Sequence, residues 1–324
     1  MIENSEVVTI GVDLGGTKVE TALVDASGRI VVSYRQPANP EKGADVVIAD
    51  IVACVETCQI EAGKTAQGLG VGVAGQLDRA GTLCFSPNLG WHNVPFKVKL
   101  EDALGIPVVV SNDVRAATQA EWQHGAGRGV DDLVCLFVGT GIGGGVVSGG
   151  RILEGCSNTA GELGHMTIVA DGRRCHCPNR GCLEAYAGGW AIAERAQEAV
   201  HADPQAGQRL VALAGSIQQI SAATVSQACG DGDPLACRLV EETVQYLAAG
   251  VVSIVNAFNP CLIILGGGVI QGRSEYVSEV ERAVRENALQ TAVEGLRIVM
   301  AALGDKAGVI GAAALARDKI GRAA

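Results

Sequence analysis

Residues 7–18 read VVTIGVDLGGTK, a stretch in which an apolar run ends at an acidic residue and a pair of glycines. The alternation from Val7 to Asp13 predicts a β-strand, Leu14 to Gly16 a tight turn, and Lys18 to Val24 a second strand. Glycines let a backbone approach a phosphate closely and their N–H groups can form an anion-binding nest, although an ordinary hairpin turn has the same signature. A carboxylate at the strand end suits a Mg²⁺ ion that keeps its water. The candidates for nucleotide and Mg²⁺ binding are Asp13, Gly15, Gly16, Thr17 and Lys18.

The same arrangement returns in the middle of the chain. Leu133 to Val138 predicts a strand, Gly139 to Gly145 a glycine-rich turn, and Val146 to Leu153 a continuing strand. Two hairpin loops of this kind predict a duplicated architecture that clamps a nucleotide. A third glycine run, Gly266 to Gly268, follows the apolar strand Leu262 to Leu265, and it either approaches the adenine or ribose or packs a strand on a helix. The candidates are Thr140, Gly141, Gly143, Gly267 and Gly268.

Two other glycine motifs suggest different nucleotide folds, but their context disagrees. Gly63-Lys64-Thr65 resembles the end of a P-loop, yet Cys58 occupies the position of the first glycine and a helical pattern precedes it. We therefore predict a helix C-terminus there. Gly139 to Gly144 satisfies the dinucleotide pattern G-x-G-x-x-G, which must open a helix, whereas a strand pattern follows it here. The sequence thus disfavours a nicotinamide-dependent enzyme.

Asn112 and Asp113 follow a short buried strand, Val108 to Val110, and precede an amphipathic helix, Val114 to His124. An Asp at this point either caps the helix or acts as a general base, because ligands of α/β sheets bind beyond the carboxyl ends of the strands. Phosphoryl transfer needs alignment, charge neutralisation and one group that accepts the hydroxyl proton. Asp113 is the candidate for that group.

Three cysteines, Cys175, Cys177 and Cys182, lie close together in the sequence, and His165 precedes them. This spacing fits a closed tetrahedral zinc site with three Cys ligands and one His ligand, the alternative being a cluster of free thiols. His176 is a rival ligand, but it lies between two cysteines and would struggle to reach the same ion. A zinc-bound His165 would keep its other ring nitrogen as an N–H donor for a sugar hydroxyl.

Glu162 and Glu184 flank this cysteine-rich segment. Paired carboxylates accept hydrogen bonds well from vicinal diols, although solvated surface carboxylates are common for Glu. Together with His165, they predict a sugar site beside a structural zinc ion.

Composition limits the possible functions. The chain has 324 residues, which favours two domains, and 48% of them are hydrophobic, enough for a sizeable core. A formal net charge of −10 disfavours nucleic-acid binding, which requires a basic surface. Met1 to Glu6 lacks the basic and apolar segments of a secretion signal, and no apolar run is long enough to span a bilayer. Eleven cysteines without a signal peptide indicate reduced thiols in the cytosol.

These motifs resemble those of the ROK family (repressors, open reading frames and sugar kinases) over nearly the whole chain, and among its members the bacterial glucokinases. Residues 86–91, SPNLGW, resemble the glucokinase form of the sugar loop and favour glucose over N-acetylmannosamine or fructose. In two places the chain departs from the family pattern: Pro178 replaces the usual glycine of the zinc loop, and Ala74 replaces a proline before the sugar site. The resemblance implies phosphate loops at 13–18 and 139–145, the catalytic base Asp113, sugar contacts from Gly75, Asn88, Asn112, Asp113, Glu162, His165 and Glu184, and zinc ligands His165, Cys175, Cys177 and Cys182.

The resemblance also implies a two-domain actin-like (RNase H-like) α/β fold with a central cleft. We expect a small domain of residues 1–112, completed by a C-terminal helix at 306–320, and a large domain of residues 113–305 that carries the zinc loop and a homodimer contact. The implied activity is transfer of a phosphoryl group from ATP, with Mg²⁺, to the 6-hydroxyl of glucose in the cytoplasm. The alternatives are a kinase for another hexose (N-acetylmannosamine, N-acetylglucosamine or fructose) and a non-catalytic, sugar-responsive regulator. Family repressors carry an N-terminal helix-turn-helix domain, for which a first strand starting at Val7 leaves no room.

Overall fold

The computed structural model describes residues 7–271 and 273–323, so the N-terminal residues predicted to lack a secretion signal lie outside it. The first elements in chain order are β1 (Val8–Leu14), β2 (Lys18–Asp25), β3 (Ile30–Pro37), α1 (Ala44–Ala62), β4 (Leu69–Val73), β5 (Gln76–Leu77), β6 (Leu83–Ser86), β7 (Trp91–Val94), α2 (Phe96–Leu104), β8 (Val108–Asn112) and α3 (Asp113–His124). The later elements are β9 (Leu133–Val138), β10 (Ile142–Ser148), β11 (Arg151–Ile152), α4 (Glu184–Ala187), α5 (Gly189–Ala202), α6 (Gln208–Ala214), α7 (Ala222–Gly230), α8 (Pro234–Phe258), β12 (Leu262–Gly266), α9 (Ser274–Asn287), α10 (Gln290–Val293), β13 (Arg297–Met300) and α11 (Ala307–Ala323).

The first of two compact units contains residues 7–131, 145–161 and 302–323 of the described chain. Its sheet has the order β3-β2-β1-β4-β8, with β1 antiparallel to β2 and parallel to β4, which is parallel to β8. Two glycines let α11 lie directly on this sheet. A Cβ at Gly11 would lie 1.9 Å from the Val309 carbonyl oxygen, and one at Gly70 would lie 1.7 Å from that of Ala312. Any side chain at either position would force α11 away from β1 and β4.

A small antiparallel sheet, β5-β6-β7, also belongs to the first unit. Its strands are two to four residues long, and sequence reasoning did not predict them. Trp91 anchors this sheet, because its indole ring is buried and its Nε1–H donates to the Pro40 carbonyl, 3.2 Å away. The turn between β6 and β7 carries Asn88.

The second unit contains residues 132–144 and 162–301, of which residue 272 is not described. Its central strand, β12, is entirely buried and pairs in parallel with β9 and with β13. These strands belong to a sheet with the order β11-β10-β9-β12-β13. As predicted, the chain after the cysteine-rich segment is mainly helical, and α8 packs against α7 and α9.

Several predicted elements are confirmed, and one is corrected. Gly63 is the C-cap of α1 in the left-handed conformation, as expected for a helix C-terminus. The glycine run that starts at Gly139 leads into a strand and not into a helix, as expected for a chain without a dinucleotide fingerprint. The prediction of a turn through Gly145 and one strand to Leu153 was wrong. Strand β10 already begins at Ile142, and positive φ angles at Gly149 and Gly150 turn the chain into β11.

The two units differ from the predicted domains of 1–112 and 113–305. Helix α3 packs against α11, and for this reason residues 113–131 group with the first unit. Residues 145–161 also belong to the first unit. Within the described ranges, we find no helix long and apolar enough to cross a membrane.

Candidate active site

The first glycine loop connects β1 to β2 in the first unit. The N–H of Gly15 donates to the carbonyl of Lys18 at 3.0 Å, which closes the turn, and Thr17 is exposed at its tip. Gly16 lies against the loop that carries Asn88, because a Cβ at Gly16 would lie 3.0 Å from the Asn88 carbonyl oxygen. The predicted phosphate loop and the predicted sugar loop are therefore neighbours.

Asp13 lies near the end of β1, where its carboxyl group is partly buried. Burial, and next the negative charge of Asp113, raise the pKa of Asp13 from 3.8 to about 6, while Lys18 and Arg35 oppose the shift. Gly308, in the first turn of α11, makes room for the carboxylate: a Cβ there would lie 2.8 Å from the Asp13 Cγ. A cation between Asp13 and Asp113 would relieve their repulsion, so the pair fits the Mg²⁺ predicted at Asp13.

Asn112, and not Asp113, caps helix α3. The Asn112 Oδ1 accepts the backbone N–H groups of Val114 at 2.9 Å and Arg115 at 3.2 Å. Asp113 stands in the first helical turn, directly after β8, and its Oδ1 also accepts the N–H of Val114 at 2.9 Å. Because its neighbour satisfies both cap donors, helix capping alone does not account for an Asp at position 113.

Two predicted sugar residues of the first unit, Asn112 and Gly75, are in contact with each other. The Asn112 Nδ2 donates to the carbonyl of Gly75 at 3.5 Å. Gly75 allows a close approach of β6, because a Cβ there would lie 2.7 Å from the Phe85 carbonyl oxygen. Asn88 is exposed in the turn after β6.

In the second unit, Glu184 holds the second glycine loop. Its Oε2 accepts the backbone N–H of Ile142 at 2.8 Å and lies where a Cβ of Gly141 would otherwise be, at 2.4 Å. Its Oε1 accepts the indole N–H of Trp190 at 3.2 Å. Trp190 also donates its backbone N–H to the Thr140 carbonyl at 3.0 Å. One carboxylate thus connects the loop with α4 and α5.

The turn that carries Glu162 and His165 lies against the first residue of β10, Ile142, which Glu184 also contacts. A Cβ at Gly164 would lie 2.0 Å from the Ile142 carbonyl oxygen, so this turn is in direct backbone contact with β10. Glu162 is exposed, and His165 is half-buried. The backbone of Ile142 therefore contacts both Glu184 and the turn that carries Glu162 and His165.

The four predicted metal ligands come together. The ligand atoms of His165, Cys175, Cys177 and Cys182 all lie within 4.8 Å of one another. The Nδ1 of His165 lies 3.7 Å from the sulfur of Cys175. Burial raises the pKa of Cys175 to about 12 and also raises that of Cys182, so these two thiols would ionise here only with a compensating cation. The donor set fits zinc.

His176 takes no part in this cluster. Its ring stacks on Trp190 with 4.0 Å between the centroids, and it is not among the residues whose ligand atoms cluster. The neighbour of the ligands is instead Asn179, whose Nδ2 donates to the Cys182 sulfur at 3.4 Å. Such an amide stabilises a thiolate ligand from outside the coordination sphere.

A cavity of about 1060 Å³ opens within the second unit. Thr140 and Gly268 line it, so the structure brings together candidates from the second and third glycine runs. Gly143 lies within β10, and Gly267 packs on β9, where a Cβ would be 2.4 Å from the Val138 carbonyl oxygen. Sequence reasoning missed most of the wall, which includes Trp190, Gln197, Ser221, Ser226, Arg273 and Tyr276.

The glycine hairpins on mixed α/β sheets place the chain among actin-like ATPases, and the comparisons agree. The model of the ROK family matches residues 9–319. The crystal structure of a ROK family glucokinase from Streptomyces griseus in complex with glucose and AMPPNP superposes with a TM-score of 0.77 at 36% identity, over 96% of this chain and 99% of that one. ROK sugar kinases have the actin-like ATPase fold, so the predicted fold class is confirmed.

Curated relatives lead to the same family. A glucokinase of Streptomyces coelicolor is 35% identical over 96% of this chain and 98% of its own length. An N-acetylmannosamine kinase of Citrobacter koseri is 34% identical over 95% of this chain and 98% of its own length. The chain belongs to the ROK family.

Proposed function

We propose that this protein is an ATP-dependent kinase that phosphorylates the 6-hydroxyl of glucose. The observation that carries the proposal is that Asn112 caps α3, so the helix does not need Asp113 as a cap. Asp113 follows the carboxyl end of a parallel strand. This is where α/β proteins bind ligands, and a carboxylate there suits a general base. The chain is 35% and 36% identical in sequence to two glucokinases over 96% of its length, which supports the same activity.

In this mechanism, Asp113 accepts the proton of the 6-hydroxyl as the oxygen attacks the γ-phosphorus of ATP, the bond from that phosphorus to the bridging oxygen breaks, and ADP leaves. The glycine loops align the phosphates with their backbone N–H groups. Mg²⁺, when bound, neutralises charge on the phosphates, and Asp13 is the residue that would hold it through water. Lys18, at the end of the first glycine loop, adds a positive charge near the same carboxylate.

The nucleotide has a suitable space in the second unit. Ligand cavities of about 300–1,000 Å³ accept molecules of drug size, and the cavity lined by Thr140 and Gly268 reaches the upper end of this range. A Cβ at Gly139 or at Gly268 would meet no atom within 4 Å, so the backbone at both positions is open to close approach by a ligand. We therefore assign this cavity to the ATP base and ribose.

The resemblance to the ROK family suggests that the sugar contacts are Asn88, Asn112, Glu162, His165 and Glu184. We propose that zinc, bound by His165 and the three cysteines, is structural, because four protein ligands leave no position for a catalytic water. Its binding would leave the Nε2 of His165 as a donor to a sugar hydroxyl. The resemblance further suggests a cytoplasmic homodimer, which light scattering on the purified protein would test.

The experiment is a coupled assay of the purified protein with MgATP and a panel of glucose, mannose, fructose, N-acetylglucosamine and N-acetylmannosamine. Glucose should exceed the N-acetylated sugars and fructose at least ~10²-fold in kcat/KM, because polar groups that become buried when the sugar binds stay unpaired with the wrong sugar. Asp113→Asn should lower kcat ~10²–10⁴-fold and keep glucose binding. Asp102→Asn, at an exposed position of α2, is the matched control and should leave kcat unchanged.

A preference for N-acetylmannosamine would replace glucose as the proposed substrate. It is the second candidate because one relative is an N-acetylmannosamine kinase. Turnover with none of the sugars, together with tight sugar binding, would favour a regulator. Activity of Asp113→Asn close to that of the wild type would remove the base from the mechanism.

A further inference from the structure

Two cysteines outside the zinc cluster lie in contact in the second unit. Cys229 is near the end of α7 and Cys237 in the first turn of α8, and their sulfur atoms are 2.9 Å apart. This separation is shorter than a van der Waals contact of two sulfurs, while a disulfide bond measures about 2.0 Å. Both are half-buried free thiols. No part of the proposed kinase mechanism uses them.

The turn between the two helices holds the sulfurs in this position. The N–H of Asp233 donates to the Ala228 carbonyl at 3.0 Å, and that of Gly232 donates to the Cys229 carbonyl at 2.9 Å. Asp233 also caps α8, accepting the N–H of Ala236 at 2.8 Å. The backbone is thus already folded around the pair, and a bond requires an approach of only about 1 Å.

Helices α7 and α8 both form walls of the cavity that we assign to ATP. Ser226 and Gln227 line it from α7, and Val240 and Thr243 line it from α8. Arg273, a further wall residue, donates to the hydroxyl and the carbonyl of Ser226. A bond between Cys229 and Cys237 would therefore act on two walls of this cavity at once.

We propose that Cys229 and Cys237 are a site of thiol–disulfide exchange with low-molecular-weight disulfides, and that their oxidation weakens nucleotide binding. One thiolate attacks the disulfide RSSR, releasing RS⁻ and forming a mixed disulfide. The second cysteine then attacks the protein sulfur and expels the other RS⁻. Two protein thiols and RSSR thus become one protein disulfide and two RSH. The effect on binding rests on the proposed function, whereas the chemistry of the pair does not.

The reaction should be slow. Burial, and next the hydrogen bond with Cys237, raise the pKa of Cys229 to about 12, so little of this thiol is ionised at neutral pH. In a reducing cytosol the pair stays reduced, and only sustained oxidation converts it. Bond formation pulls the end of α7 towards α8, and close-packed walls transmit such a shift to the ligand contacts.

Mass spectrometry tests the chemistry directly. Trypsin cleaves after Arg209 and Arg238, and the peptide 210–238 contains both cysteines of the pair and no other. After prolonged incubation of the zinc-loaded protein with glutathione disulfide and then alkylation, this peptide should lack both alkyl groups and weigh two hydrogen atoms less. Two alkylated cysteines in this peptide, or a stable glutathione adduct on one of them, would overturn the proposal.

Binding of a non-hydrolysable ATP analogue, measured by calorimetry on both forms, tests the consequence. Oxidised protein should bind it several-fold more weakly, and dithiothreitol should restore the affinity. Cys229→Ser should be insensitive to the oxidant, while Cys261→Ser, which removes an exposed and isolated thiol, should respond like the wild type. Unchanged affinity after complete disulfide formation would refute the coupling. Failure of both forms to bind the analogue would instead count against the assignment of the cavity to ATP.

Discussion

The guanidinium group of Arg115 holds Asn158 at two points. Its Nη1 donates to the Asn158 side-chain oxygen, and its Nη2 donates to the Asn158 main-chain carbonyl at 2.9 Å. Arg115 is buried on α3, two positions after Asp113, and Asn158 has the left-handed backbone conformation that Asn tolerates. The Asn158 amide in turn donates to the carbonyls of Leu77 and Asp78. One side chain thus connects the helix of the proposed base with the segment that leads to Glu162.

Arg115→Met should raise the KM for glucose about ten-fold or more and leave the KM for ATP nearly unchanged. Hydrogen bonds to a charged group contribute about 1.5–3 kcal/mol each, and their loss would release the segment before Glu162. Arg115→Lys keeps the positive charge but loses the paired donors of the guanidinium group, so it should restore only part of the affinity for glucose. Steady-state kinetics with each substrate, beside a thermal unfolding curve, separate positioning from stability. Equal increases of both KM values would indicate a structural role only.

The raised pKa of Asp13 predicts a pH-dependent stability. Because the pKa is about 6 in the folded protein against an ordinary 3.8, the folded state holds this proton more tightly than the unfolded state. The resulting stabilisation is complete below pH 3.8 and is lost as the pH rises through 6, a difference of about 3 kcal/mol. Asp13→Asn should therefore gain stability relative to the wild type between pH 4.5 and pH 7.5.

Urea unfolding of the zinc-loaded protein in buffers without Mg²⁺, at several pH values, measures this difference. The same substitution should weaken activation by Mg²⁺, because it removes the carboxylate proposed to hold the ion. A difference in unfolding free energy that does not change with pH would mean that Asp13 titrates normally.

The parts of the fold and site that the sequence predicted are those with a local pattern. Strands on either side of a glycine turn alternate visibly, as from Val7 to Lys18, and metal ligands such as Cys175 and Cys177 lie two positions apart. The short strands β5 to β7 have too few residues for any period to emerge.

Contacts between distant segments were not predictable. Arg115 and Asn158 are far apart in sequence, and neither residue type signals the other. The cavity that we assign to ATP is lined by a few residues from each of several helices, which tertiary packing brings together. Asn112 and Asp113 are both residue types that cap helices, and only the backbone geometry shows which of them caps α3.

Zinc should control sugar binding more than nucleotide binding. Cys177→Ser removes one of four ligands, so we expect less than about one zinc per chain, a lower unfolding temperature and a strongly raised KM for glucose. The ligand His165 belongs to the proposed sugar site, whereas the KM for ATP should change less. Some effect on ATP is expected, because His176 of the same loop stacks on Trp190 in the cavity wall.

Metal analysis of the purified variants, beside kinetics for both substrates, checks this prediction. Cys261→Ser is the control, since it removes a thiol outside the cluster and should retain the metal. Full activity in metal-free protein would contradict the zinc proposal. Equal losses of affinity for glucose and ATP would assign zinc to the stability of the whole unit.

Two glycines of α11 offer a matched test of the space around Asp13. Gly308→Ala introduces a methyl group 2.8 Å from the Asp13 Cγ, so the carboxylate must move, and we expect weaker Mg²⁺ activation and a kcat lower by about ten-fold or more. Gly321→Ala, in the same helix, meets no atom within 4 Å and should only stabilise the helix, by about 0.5–1 kcal/mol. Kinetics over a Mg²⁺ titration and urea unfolding of both variants give the comparison. If Gly308→Ala kept normal Mg²⁺ dependence while Asp13→Asn lost it, the exact position of the carboxylate would not matter, and Asp13 would act through its charge alone.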